Sequence, residues 1–308
     1  MLDIWAPLLG GLVLLVVGGD VLVRGAVDVA RRLGVSPLMI GLVLVGFGTS
    51  LPELVTSVRA ALTGAPGIAY GNIVGSNIAN ILLIGGLSAL LFPIAVSPAG
   101  LKRDATVMVA VAAAFAVLSF VLDMGRLPGL LCVGALIAYV VLVYSQERTA
   151  PTIEDDALPP GPILWPLALT FGGLAMIVAG GTYLVSGAVS LAESAGISQE
   201  VIGLTIVAVG TSLPELVTSV IAALRKQGDV AFGNIVGSNI YNILGIGGIT
   251  ALSAPSEVPA QIVTLDNLVM LAVSALFVIF AKTGLRISRR EGAVLLAGYA
   301  AYIGLLVT

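Results

Sequence analysis

The chain has 308 residues, of which 58% are hydrophobic and only 10% are charged, and its formal net charge is −3. Soluble domains carry about 25% charged residues, so this composition and the mean hydropathy of +1.11 exclude an ordinary soluble protein. There is no histidine, and Cys132 is the single cysteine. The chain therefore lacks the commonest zinc ligand and proton shuttle, and it cannot form an intramolecular disulfide.

Ten apolar stretches are long enough to cross a bilayer, which takes roughly 20 residues. The first is followed by nine more and has no cleavage site before a soluble domain, so we interpret it as a span and not a removed signal. The expected spans are at about 4–23, 34–60, 69–92, 105–122, 128–144, 163–185, 197–223, 231–252, 265–281 and 291–307.

The basic residues are distributed unevenly between the two sides of these spans. The even-numbered connections and both tails contain only Arg59 and Arg126. By the positive-inside rule the odd-numbered connections are cytoplasmic, and both termini should face outward. The odd connections hold the other twelve basic residues: Arg24, Arg31, Arg32, Lys102, Arg103, Arg148, Arg225, Lys226, Lys282, Arg286, Arg289 and Arg290.

Two polar blocks of the sequence occur twice, each 162 positions apart. Residues 48–57 (GTSLPELVTS) recur unchanged at 210–219, and residues 71–78 (GNIVGSNI) recur at 233–240. Five spans per copy is an odd number, so the second copy must enter the membrane from the opposite side. This inverted repeat is typical of secondary transporters, whose substrate sites lie near the midplane between the repeats. A duplication retained only for folding would not explain two identical polar decapeptides in mid-membrane.

The repeat predicts an all-α polytopic membrane protein of ten transmembrane helices in two inverted five-helix repeats. The first repeat covers residues 1–145, a cytoplasmic linker covers 146–162, and the second repeat covers 163–308. The linker contains Glu147 and three further acids. A regulatory calcium loop is one interpretation, but a solvated linker is the commoner use of such a segment.

Glu53 and Glu215 are the only acids in the middle of apolar spans. A carboxylate at the bilayer centre costs at least about 2.5–3.5 kcal/mol, and such residues mark ion pathways. No lysine or arginine lies at mid-span, so the charge must be met by a proton or a bound cation. Asp20 can pair with Arg24 four residues later, while Asp104 and Asp266 stand at span starts and are interpreted as helix N-terminal acids.

The residues around Glu53 suit a cation site. Thr49 and Ser50 precede the glutamate by four and three positions, so a helix would present them on the same side. Pro52 lacks an amide hydrogen and collides with the carbonyl of Gly48, which should free carbonyl oxygens around residues 46–48. Hydroxyl, carbonyl and carboxylate oxygens are the ligands of hard cations such as calcium and sodium.

The second block adds a serine and an asparagine four residues apart, Ser76 with Asn80 and Ser238 with Asn242. Each pair shares one helix face. For the serines, close helix packing is the alternative to ion binding. Two further asparagines, Asn77 and Asn239, point elsewhere and are expected to join helices by hydrogen bonds.

Two inverted halves with GTSLPE followed by GNIVGSNIxN resemble the alpha repeats of the calcium/cation antiporter superfamily, and most closely its prokaryotic sodium/calcium exchanger branch. The resemblance implies no cofactor and no enzymatic activity. It implies transported Ca²⁺ and Na⁺ ions as partners, the lipid bilayer of a prokaryotic plasma membrane as the setting, and no nucleic acid. It leaves the oligomeric state open.

The resemblance also implies a diamond of cation sites at the membrane centre, and sliding of the first and sixth spans across the rest. The glycine pairs 18–19 and 180–181 suit such sliding contacts. The implied ligands are the side chains of Thr49, Ser50, Glu53, Ser76, Asn80, Thr211, Ser212, Glu215, Ser238 and Asn242, with backbone oxygens of Gly46 and Ala208.

One departure concerns the coupling ion. Members of the family often have an aspartate where Asn242 stands, so this chain has two central carboxylates and not three. Exchange of calcium for sodium is the first hypothesis, and a calcium/proton antiporter or another cation as cargo, such as manganese, are the alternatives. A channel would more naturally repeat its motif around an oligomer, and an intramembrane hydrolase would need a base to activate Ser50.

Overall fold

The computed structural model describes residues 2–147, 162–194 and 208–307, which are almost entirely helical. Most of the expected linker, residues 148–161, and the start of the expected seventh span, up to residue 207, lie outside the described residues. The helices before the linker are α1 (Leu2–Leu33), α2 (Pro37–Thr49), α3 (Leu51–Leu62), α4 (Pro66–Leu91), α5 (Gly100–Val121) and α6 (Arg126–Glu147).

The second half repeats this order of helices. Two short strands, β1 (Ile94–Ala95) and β2 (Arg286–Ile287), pair antiparallel and join the two halves at one end. The helices after the linker are α7 (Leu164–Ser194), α8 (Ala208–Thr211), α9 (Leu213–Leu224), α10 (Gly228–Ser253), α11 (Ile262–Lys282) and α12 (Arg289–Val307).

The chain is a multi-pass helical membrane protein. In the described ranges, α1, α4, α5, α6, α7, α10 and α11 are each long and apolar enough to cross a membrane, and α2 with α3 forms an eighth, bent candidate. The apolar α9 has 12 residues, and α12 begins with three charged residues. These lengths confirm the membrane class, while the count of ten spans stays a prediction.

Helices α4 and α10 form the centre of the molecule. Buried residues make up 72% of the apolar stretch of α4 and 89% of that of α10, but at most 33% in α1, α5, α6, α7 and α11. Helices that are apolar on all sides but poorly buried face lipid. Both central helices contain a π-helical stretch, Asn80–Gly85 in α4 and Tyr241–Gly247 in α10, a feature often found at functional sites.

Both copies of the first motif are broken helices. The break lies at Ser50 (φ −83°, ψ 6°) between α2 and α3, which are bent by 44°, and at Ser212 (φ −90°, ψ 6°) between α8 and α9. The prolines fall at the start of the second helix, where their missing amide costs nothing. Unwinding was expected at residues 46–48, but Gly46–Thr49 is helical and the break comes later.

Helices α1 and α7 pack backbone to backbone along their length. A Cβ added to Gly18 would lie 3.0 Å from the carbonyl oxygen of Gly173, and one added to Gly180 would lie 2.8 Å from the amide nitrogen of Leu15. Gly19 instead faces Val217 of α9. The two glycines of the first pair therefore face different helices, α7 and α9. The close α1–α7 contact recurs every seven residues along both helices, at Gly11, Gly18, Gly25, Gly173, Gly180 and Gly187.

One expectation about the acids away from the centre was wrong. Glu147 is the buried last residue of α6, not part of a solvated linker; its carboxylate accepts from Arg103 at 3.2 Å and from the Ser36 amide at 3.3 Å. Asp104 and Asp266 are each the fifth residue of their helix, α5 and α11, and so lie near the helix N-termini as expected. They accept from tyrosine hydroxyls, Tyr139 to Asp104 and Tyr302 to Asp266, both at 2.9 Å, and Asp104 also forms an ion pair with Arg103.

Candidate cation site

The two mid-span glutamates lie opposite each other, and each is bound by the serine at the break of the other half. Ser50 Oγ donates to Glu215 Oε1 at 2.9 Å, and Ser212 Oγ donates to Glu53 Oε1 at 3.1 Å. All four side chains are buried. Because the helices break at the serines, the first turns of α3 and α9 bring both carboxylates to one central point.

This pair of carboxylates lacks a positive partner. Neither Glu53 nor Glu215 forms an ion pair within the described residues, and the Oε2 atom of each has no hydrogen-bond partner there. An isolated buried carboxylate is strongly unfavourable unless it is neutralised. The arrangement therefore calls for a bound cation or for protons. No cluster of three or more His, Cys, Asp or Glu occurs in the described ranges, so the acidic ligands at this site are two.

Oxygens of the α2 end surround the same point. The Thr49 hydroxyl lies 3.3 Å from the carbonyl oxygen of Gly46 and 3.2 Å from Oδ1 of Asn234. The Ser238 hydroxyl of α10 donates to the same Gly46 carbonyl at 3.4 Å. That carbonyl also accepts from the amide of Ser50 at 3.2 Å, so it is not freed by the proline. The contacts join residues from both halves.

The remaining residues predicted for the site occupy the central helices and the end of α8. Asn80 and Asn242 are buried, and within the described residues Oδ1 of each has no hydrogen-bond partner. Amide oxygens left unpaired in a protein interior are available to a cation. Ser76 is buried on α4. Thr211 is partly buried at the end of α8, the helix that begins at Ala208.

Two asparagines that sequence reasoning passed over hold the glutamate helices in place. Asn72 Nδ2 donates to the main-chain carbonyl of Glu53 at 3.3 Å and to Ser57 Oγ at 2.9 Å. Asn234 Nδ2 repeats both bonds in the second half, to Glu215 at 3.2 Å and Ser219 at 2.9 Å. One feature of the sequence could have indicated these bonds, because all four residues that accept them lie inside the duplicated blocks.

The two asparagines that were expected to join helices bond within their own helices. Asn77 Nδ2 donates to the carbonyl of Ile73 at 2.8 Å, and Asn239 Nδ2 donates to that of Ile235 at 2.7 Å. Each acceptor lies four residues earlier on the same helix. The prediction of interhelical bonds was therefore wrong, because the helix itself provides a carbonyl within reach of a buried side-chain amide.

Comparison with known proteins matches this architecture over nearly the whole chain. A family model described as sodium/calcium exchanger protein matches residues 4–146 and 165–308. The chain is 37% identical to the sodium/calcium exchanger MaX1 of Methanosarcina acetivorans over 97% of each protein. It is 33% identical to the inner membrane protein YrbG of Escherichia coli, covering 99% of this chain and 97% of that one.

A solved structure of the sodium-calcium exchanger NCX_Mj superposes with a TM-score of 0.89 at 34% identity, covering 98% of each chain. The resemblance inferred from the duplicated motifs is thus confirmed, and bacterial and archaeal relatives agree with a location in the plasma membrane. The chain belongs to the sodium/calcium exchanger protein family, whose members are cation antiporters of the membrane.

Proposed function

We propose that this protein exchanges calcium for sodium across the membrane by alternating access at the site between Glu53 and Glu215. The observation that carries the proposal is the pair of buried carboxylates, each bound across the interface by a serine and lacking a positive partner among the described residues. Two ionised glutamates are balanced by one calcium ion or by two sodium ions. Competition for one set of oxygens then couples the two fluxes.

The relatives support calcium and sodium as the cargo. MaX1 is named a sodium/calcium exchanger, and NCX_Mj is described with Na⁺, Ca²⁺ and Sr²⁺ in studies of ion exchange and binding-site occlusion. We carry these ions over to this chain because its buried ligand atoms are oxygens, which calcium and sodium prefer. The proposed ligands are Glu53, Glu215, Thr49, Thr211, Ser50, Ser212, Ser76, Ser238, Asn80, Asn242 and the backbone oxygens of Gly46 and Ala208.

The proposed topology follows the sequence repeat. Residues 1–145 and 163–308 form inverted five-helix repeats of ten spans in all, residues 146–162 connect them in the cytoplasm, and both termini face outward. In this arrangement α1 and α7 slide against the central helices to open the site to one side and then the other. Antiparallel repeats give two equivalent end states, which is how inverted-repeat transporters alternate access.

Proton coupling is the second candidate, and the amides at positions 80 and 242 favour it. Because the site has two carboxylates, two protons neutralise its negative charge as fully as one calcium ion does. Calcium uptake into proteoliposomes, measured with outward sodium, proton or potassium gradients imposed separately, distinguishes the candidates. We expect uptake with the sodium gradient. Uptake driven by a pH gradient in sodium-free buffer, with none driven by sodium, would establish the proton alternative.

Substitution of either glutamate tests the site itself. Glu53→Gln and Glu215→Gln should each lower sodium-driven calcium uptake about 100-fold or more, because a buried charge that a divalent ion needs is removed. Glu257→Gln is the matched control, since Glu257 is exposed in the connection between α10 and α11. Wild-type uptake rates in both site variants would overturn the assignment of the site.

A further inference from the structure

Asn234 of α10 contacts both halves of the site at once. Its side chain is fully buried, and its three hydrogen-bond partners are the Glu215 carbonyl, the Ser219 hydroxyl and the Thr49 hydroxyl. The first two belong to α9 in the second half, whereas Thr49 ends α2 in the first half.

The partners determine which way the amide of Asn234 points. A main-chain carbonyl can only accept, so the atom facing Glu215 must be the donor Nδ2. Oδ1 then faces Thr49, and because an amide oxygen can only accept, Thr49 must donate. A hydroxyl has one proton and two lone pairs. With the proton given to Asn234, both lone pairs of Thr49 Oγ1 are left for other contacts.

This orientation matters for a hydroxyl that binds a cation. A cation is attracted to the lone pairs of oxygen and repelled by the hydroxyl proton, so a ligand hydroxyl works best when another acceptor holds its proton. Thr49 has two neutral acceptors within reach, Gly46 O at 3.3 Å and Asn234 Oδ1 at 3.2 Å, and the Glu215 carboxylate also lies close to its hydroxyl. The Gly46 carbonyl already accepts from the Ser50 amide and the Ser238 hydroxyl. A cation bound between the glutamates would occupy the Glu215 carboxylate, which leaves Asn234 Oδ1 as the acceptor for the Thr49 proton.

We propose that Asn234 is a positioning residue that holds the Thr49 hydroxyl with its lone pairs available to the cation, at a fixed distance from the Glu215 helix. The inference rests on the proposed function, since it concerns the same site. Asn72 holds the Glu53 helix in the repeat-related way, through Glu53 O and Ser57 Oγ. Neither asparagine contacts the ion; each acts through the groups it orients.

The matched control is Asn239, five residues further along the same helix. It is equally buried, but its amide bonds only to Ile235 of its own helix. Asn234→Ala should raise the apparent KM for calcium about tenfold while the maximal rate changes less than about twofold, because two or more hydrogen bonds that shape the site are lost. Asn239→Ala should change KM by less than about twofold.

A double-mutant cycle with Thr49→Val tests whether Asn234 acts through Thr49. If it does, Asn234→Ala should raise KM by less than about twofold once the hydroxyl is already gone. If the KM of the double variant rises by the product of the two single-variant factors, the inference is overturned. If Asn234→Ala does not fold, as judged by its thermal unfolding in detergent, Asn234→Leu replaces it in both comparisons, since leucine keeps most of the side-chain volume and removes the acceptor opposite Thr49.

The outcomes separate this inference from the proposed function. Calcium uptake by the wild type with equal KM values for Asn234→Ala and Asn239→Ala would overturn the positioning role and leave the exchanger in place. Absence of sodium- or proton-driven calcium uptake by the wild type would overturn the proposed function. In that case calcium binding to the purified proteins, measured by calorimetry, still tests the positioning role. If the role is correct, Asn234→Ala should bind calcium more weakly than the wild type and Asn239→Ala do.

Discussion

The centre of the molecule is nearly symmetric, whereas the predicted cytoplasmic end of the first expected span (residues 4–23) is not. At the centre the serine–glutamate bonds are 2.9 and 3.1 Å long, and the asparagine–carbonyl bonds are 3.3 and 3.2 Å long. At the predicted cytoplasmic end of that span, Asp20 pairs with Arg24 at 3.0 Å and also with Arg225, which follows α9. The central geometry is therefore duplicated with the sequence, and the ion pairs are not.

The repeat offset shows what replaces the ion pair in the other half. Positions 20 and 225 correspond to Thr182 and Thr63. Thr182 donates to the Val178 carbonyl of its own helix, and Thr63 donates to carbonyls at the end of α3. Two end states related by an inverted repeat would be equal in energy if every contact were duplicated. Contacts present at one end only are what can make them unequal.

The largest effect is expected where the duplicated contact is a close backbone approach. A Cβ on Gly173 would lie 2.4 Å from the Leu22 amide nitrogen, and one on Gly11, its repeat partner, would lie 2.6 Å from that of Leu184. Either Gly→Ala change forces α1 and α7 apart and should cost about 1–3 kcal/mol of unfolding free energy. Thermal unfolding in detergent measures the loss of stability. Equal losses for the two variants would show that the α1–α7 interface is symmetric as well.

The neighbouring residue provides the control for this prediction. A Cβ on Gly172 meets no atom of the described residues within 4 Å, so Gly172→Ala should leave stability unchanged or raise it by up to about 1 kcal/mol through helix propensity. A melting temperature for Gly173→Ala equal to that of Gly172→Ala would contradict the close packing of α1 against α7.

The next effect, on calcium affinity and not on stability, is expected at the serines that bind the glutamates. Ser50→Ala and Ser212→Ala each remove one hydrogen bond to a carboxylate, a bond of about 1.5–3 kcal/mol, and should raise the KM for calcium about tenfold or more by equal factors. Uptake kinetics in proteoliposomes measure both. Ser274→Ala is the control, because this buried serine bonds to Met270 of its own helix. Unequal factors at Ser50 and Ser212 would show that the two halves bind calcium differently.

The duplicated blocks made much of the centre predictable. Identical polar residues in mid-membrane with no cationic partner predict one site shared by the two halves, and the opposition of Glu53 and Glu215 agrees with that prediction. The same reasoning placed Asp20 beside Arg24 correctly, because residues four apart on a helix are neighbours.

The features that sequence reasoning missed depend on three-dimensional contacts. The role of Asn234 depends on Thr49, 185 positions away, and the burial of Glu147 depends on Arg103, 44 positions away. Nothing in the local pattern distinguishes Asn234 from Asn239. The seven-residue glycine spacing of α1 and α7 was visible in the sequence, but without the partner helix a glycine stripe does not reveal what it contacts.

The smallest effect is expected at the asymmetric end of the first expected span. The ion pair of Asp20 with Arg225 is partly exposed, and such pairs contribute about 0–1 kcal/mol. If it holds α1 against the end of α9, Asp20→Asn should raise the maximal exchange rate by up to about fivefold and leave the KM for calcium unchanged, because the central site keeps its contacts.

Charge exchange and salt test the same ion pair without removing side chains. Asp20→Arg combined with Arg225→Asp should return the rate toward that of the wild type, although Arg24 then faces a like charge. Raising the ionic strength should accelerate the wild type toward the Asp20→Asn rate and should have little effect on the variant, because partly exposed pairs are screened by salt. The same response to salt in both proteins would show that this pair does not set the exchange rate, and the asymmetry of the two ends would then need another source.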